Sequence, residues 1–160
     1  MTQARLLPYL AATTAGRRAR ATTPQEHTMD YGYRCTLATT DFDQALAQVT
    51  DALKAQGFGV LTEIDVRATF RKKLDRDFRP YTILGACNPQ LAWQALHAEP
   101  EIGLLLPCNV VVKQNETDQV EVSIIRPEAM FQVVDNDAMD ALVAEVGQKL
   151  ERVIAALAAT

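Results

Sequence analysis

From Met139 to Leu157 the apolar residues Met139, Leu142, Val143, Val146, Leu150, Val153, Ile154 and Leu157 recur at three- and four-residue intervals, one continuous stripe on an α-helix. A helix with a single apolar face must bury it against another element, so the rest of the chain has to supply a matching surface. Upstream the dominant pattern is two-residue alternation. Tyr33, Cys35 and Leu37 alternate in a strand expected over Tyr31–Ala38, and Val60, Thr62, Ile64 and Val66 in one over Phe58–Val66. Val120, Val122 and Ile124 alternate within Gln119–Ile125. A long helix laid on strands is an α+β arrangement.

The intervening segments fit that frame. Phe42, Ala45, Leu46, Val49 and Leu53 form a second helical stripe, with Asp41 and Gln44 at capping-box spacing and Gly57 placed to end it. A polar connector, Arg67 to Pro80, with room for one short helix, leads to a strand at Tyr81–Ala86. Asn88 as N-cap and Pro89 at the first helical position open a helix through His97, which Pro100 stops. The most apolar strand is expected over Ile102–Lys113, with a bulge or edge at Pro107. Residues Asn115 to Asp118 make a hairpin into Gln119–Ile125, and Asn136 or Asp137 caps the last helix. The order predicts a mostly antiparallel sheet with helices packed on one face, in one domain over residues 29–160.

Charge divides the chain. The net charge of −4 splits into +3 over residues 1–28, where Arg5, Arg17, Arg18 and Arg20 face only Glu26, and −7 over 29–160. An acidic domain is a poor general binder of nucleic acid or of an anionic membrane. No apolar run approaches the roughly 18 residues of a membrane span, so a soluble protein is expected. Three cysteines, Cys35, Cys87 and Cys108, are too few and odd in number for a disulfide framework, which favours a cytoplasmic location. Residues 1–28 read either as a tail outside the fold, with translation starting at Met29, or as a targeting segment of transit-peptide composition.

Three segments carry a resemblance: Glu63-Ile64-Asp65-Val66 leading into Phe70-Arg71-Lys72-Lys73-Leu74, then Gly85-Ala86-Cys87-Asn88-Pro89, then Leu106-Pro107-Cys108-Asn109-Val110. Over about Tyr31 to Leu157 the chain resembles the Domain of Unknown Function 302 family. The resemblance implies a TATA-binding-protein-like fold (β-α-β4-α), a curved antiparallel sheet gripping a long helix, and a bacterial or archaeal protein often found as a homodimer. It implies no activity and no cofactor.

Candidate chemistry gathers on these motifs. Cys87 and Cys108 each precede an asparagine, and a thiol pair in contact can form a disulfide, hold a soft metal or present a nucleophile. Free cysteine is also among the most buried residue types and packs as a small hydrophobe. No Cys-x-x-Cys is present and only His97 follows in the domain, so no metal site is expected. Glu63 and Asp65, two apart on a strand, share a face that either lines a cavity or meets solvent. Arg67, Arg71, Lys72, Lys73, Arg76 and Arg79 crowd thirteen positions, as an anion site or as solvated charge. The expectation is a ligand-binding or interaction domain, a homodimer, taking a small anionic molecule near the Cys-Asn motifs. Its expected contacts are Glu63, Asp65, Arg71, Lys72, Cys87, Asn88, Cys108 and Asn109. The alternative is a thiol-dependent redox protein or enzyme using Cys87 or Cys108.

Overall fold

The computed structural model describes residues 31–160. The expectations for the tail and for a start at Met29 lie outside them. The strands β1 (Gly32–Thr36), β2 (Gly59–Asp65), β3 (Tyr81–Cys87), β4 (Cys108–Gln114) and β5 (Val120–Ile125) form one sheet in the order β1-β5-β4-β3-β2, antiparallel throughout. The helices are α1 (Phe42–Ala55), α2 (Val66–Leu74), α3 (Pro89–Ala98), α4 (Pro127–Met130) and α5 (Asp140–Ala158). This is the expected α+β architecture.

Alternation sorts the sheet into two faces. Cys35, Leu84, Ala86, Cys108, Val110, Val112, Val120, Val122 and Ile124 point to one side and are buried with Ala45, Val49 and Leu53 of α1 and Leu150, Val153 and Leu157 of α5. The two long stripes thus bury each other and one sheet face. The opposite face carries Ile64, Ile83 and Val111, with α2 against its β2–β3 margin.

Local chemistry sets the helix ends. Asp41 Oδ1 accepts from Gln44 N at 2.9 Å, but the reciprocal half of a capping box is absent: Thr39 Oγ1 accepts from Asp41 N and donates to Gln44 Oε1. At the other end Gly57 adopts φ +82°, Phe58 N donates to Leu53 O and Gly57 N to Lys54 O, a Schellman ending that seats Phe58 in the core.

Two expectations are corrected. The strand expected over Ile102–Lys113 is two elements: Pro100–Leu105 is a 3-10 helix that buries Ile102, and β4 starts only at Cys108. Glu99, Pro100 and Gly103 favour the turn, and the apolar run reads equally as strand or buried helix. In β2 the register shifts between Val60 and Thr62, leaving Leu61 as a bulge, so Val60 pairs with Ala86 on the core side while Thr62 and Ile64 face the other way. Val60 therefore shares its face with Glu63 and Asp65.

Candidate functional site

The two Cys-Asn motifs are neighbours because β3 and β4 pair antiparallel, with Ala86 opposite Cys108 and Gly85 opposite Asn109. Their glycine and proline fit each other. A Cβ on Gly85 would stand 2.7 Å from Pro107 Cγ and would also meet the Thr62 hydroxyl, so only glycine permits this approach.

Cys87, Asn88 and Cys108 line one cavity together with Phe58, Leu91, Ala92 and Leu106, and α5 closes it with Val143 and Val146. The cavity volume is about 30 Å³. That is room for about two waters or a group of similar size. No Lys, Arg or His borders it, so an anion placed there would be desolvated without a partner. The geometry therefore does not favour the expected anionic ligand at this place; its lining suits a small uncharged one.

Asn88 is committed structurally. Its Oδ1 caps α3 by accepting from Leu91 N at 3.2 Å, and its amide packs over Gly57. The positive end of a helix lowers the pKa of a thiol aimed at it, yet at Cys87, just before α3, the shift runs upward, because burial disfavours the thiolate. Burial pushes Cys35 and Cys108 up to about 11. All three cysteines are free, and Cys108 is 5% exposed. Thiols held protonated are weak nucleophiles near neutrality.

The remaining expected contacts lie elsewhere. Asn109 is exposed on the face opposite the core. Glu63 is exposed on edge strand β2, and Asp65 caps α2 by accepting from Ala68 N at 2.8 Å. Arg71 is exposed on α2 and bound by Asp77 at 3.0 Å and Asp75 at 3.8 Å, with Lys72 exposed beside it. The eight residues do not converge on one cavity. Phe58, Leu91, Val143 and Val146, which do converge, carry no chemical signature in sequence; their only signal is apolar periodicity.

A second cluster was not foreseen. Tyr33 Oη donates to Glu128 Oε2 at 3.3 Å, and its pKa is raised to about 12, first by burial and then by the charges of Glu128 and Glu151. Gly147 in α5 makes room for the Glu128 carboxylate, which would collide with any Cβ there. Among the described residues no group of three His, Cys, Asp or Glu is placed to hold a metal. No helix among them is long and apolar enough to cross a membrane.

Residues 33–157 match the family model for Domain of unknown function DUF302. The structure is similar to that of the uncharacterized conserved protein DUF302 from Bacillus stearothermophilus, with a TM-score of 0.74 and 26% identity, covering 80% of this chain and 98% of that one. No curated protein matches the sequence.

Proposed function

Because the chain belongs to the Domain of unknown function DUF302 family, whose name carries no activity, we propose from its own geometry that it is a binding domain, with a small uncharged ligand taken into the cavity between β3, α3 and α5. The observation that carries this reading is the convergence of Cys87, Asn88 and Cys108 on one apolar space. Protonated thiols favour binding over thiol chemistry.

The homodimer implied by the resemblance belongs to the same proposal. Its support is the exposed apolar set Trp93, Leu96, Leu104 and Val133, of which Leu104 is 83% and Val133 79% exposed. Sedimentation of Leu104→Glu against the unaltered chain checks it; a dimer unchanged by the substitution would place self-association elsewhere.

Native mass spectrometry of protein purified from its own host tests the binding reading. A retained neutral molecule, lost in Ala92→Phe, is the expected result. A retained anion, a metal on the thiols or a covalent adduct on Cys87 or Cys108 would overturn it.

A further inference from the structure

The face of the sheet that α1 and α5 leave uncovered holds a trough of about 430 Å³ between α2 and the β2–β3 margin. Ile64, Val66, Phe70, Phe78, Tyr81 and Ile83 line it, and Thr69 supplies the single aliphatic hydroxyl. The aromatic rings hold one another: Phe70 meets Phe78 edge-on at 5.2 Å between centroids, and Tyr81 follows at 6.0 Å. Ile64 is 49% exposed and Phe78 37%. Such a surface is unusual beside the most basic segment of the chain.

The six cations between Arg67 and Arg79 oppose only Asp75 and Asp77, so this stretch carries +4 within a domain of −7. Both aspartates are already engaged by Arg71. Lys73 is three residues beyond Phe70 and four beyond Thr69, the next position on the helical face that lines the trough. Arg79 holds its guanidinium 5.9 Å from the Phe78 ring centroid. Neither Lys73 nor Arg79 makes an ion pair among the described residues. An apolar floor whose lining residues Phe70 and Phe78 have cations without ion pairs for neighbours, Lys73 on the same helix and Arg79 beside the Phe78 ring, matches a molecule with an apolar chain and an anionic head.

We propose that this trough binds a single-chain carboxylate amphiphile, its chain along Ile64, Ile83 and Phe70 and its carboxylate held by Lys73 and Arg79. A second copy docked here by a twofold axis would bring two such basic segments together, and their repulsion disfavours it. The site is separate from the Cys-Asn cavity and stands whether or not that cavity is occupied.

The test is titration of the full chain, followed by backbone amide NMR, with decanoate and decyltrimethylammonium, both below their micelle concentrations. Decanoate should saturate, shift Phe70, Phe78 and Ile83, and bind at least tenfold more tightly than the cation of equal chain length. Lys73→Glu with Arg79→Glu should weaken decanoate at least fivefold and strengthen the cation. Arg79→Gln, at an exposed position, gives the same direction should the double variant fail to fold. Equal affinity for the two amphiphiles, no saturation, or shifts elsewhere would overturn the proposal. So would binding only to anionic vesicles, which assigns the patch to a lipid surface, or self-association lost in the double variant without decanoate binding, which assigns it to a second copy.

Discussion

The thiols show how one residue type answers to its surroundings. Cys87 precedes a helix N-terminus, whose positive end would depress its pKa, but the Asn88 side chain already takes the Leu91 amide and burial sets the direction. What separates the cysteines is access: Cys87 is half-buried, whereas Cys35 and Cys108 are buried. Iodoacetamide on the folded chain should therefore label Cys87 first and leave the other two protected until unfolding. Mass mapping over a pH series checks this; prompt labelling of Cys108 would show that the cavity opens readily. The raised groups also fix the alkaline limb of stability. Cys35 and Cys108 move from 9.0 to about 11 and Tyr33 from 10.0 to about 12. Above the ordinary values the unfolded chain releases protons that the folded chain keeps, so stability, full below pH 9, falls from there through pH 12. Urea midpoints should decline over that window, and Tyr33→Phe should flatten the part above pH 10. A midpoint that stays level would contradict the burial of these groups.

Among the elements, the two asparagines of the repeated Cys-Asn pair have different duties, which their identical local sequence conceals. Asn88 follows β3 and caps α3, while Asn109 sits inside β4 and points away from the core. Asn88→Ala should cost about 1 kcal/mol, the usual loss for an N-cap. Asn109→Ala should stay within about 0.5 kcal/mol, as exposed positions do. Chemical denaturation of the two variants compares them directly, and equal losses would mean that Asn109 has a partner within the fold. The elements with strong local signals were legible in sequence: the stripes of α1 and α5, the Asn88-Pro89 start of α3, and the hairpin at Asn115, where Asp118 takes φ +59°. The 3-10 helix at Pro100–Leu105 and the Leu61 bulge were not, because an apolar run does not state its period and a bulge is set by the partner strand. The site was half legible for the same reason. Cys87, Asn88 and Cys108 converge, but Glu63, Asp65, Arg71 and Lys72 are carried off by the edge strand and by α2, whose position depends on tertiary packing.

At the scale of the whole molecule, one continuous core joins α1, α5 and the sheet, and a smaller cluster of Ala95, Ile102, Phe131 and Met139 packs under α3. Every capped or periodic element legible in the sequence lies after Met29. A chain beginning at Met29 should unfold at the same temperature as the full chain, and a clearly lower midpoint would show that residues 1–28 contribute packing.

The central claim is that the Cys-Asn cavity takes an uncharged ligand, and its most direct test is a matched pair of probes. Ethanol and acetate differ in the charge of one end, and the cavity borders no cation to receive it. Methyl and amide NMR titration should show ethanol shifting Leu91, Val143 and Val146 saturably, with no such shifts from acetate and none from ethanol in Ala92→Phe. Acetate shifting the same residues as strongly as ethanol, or neither probe shifting them, would contradict the account.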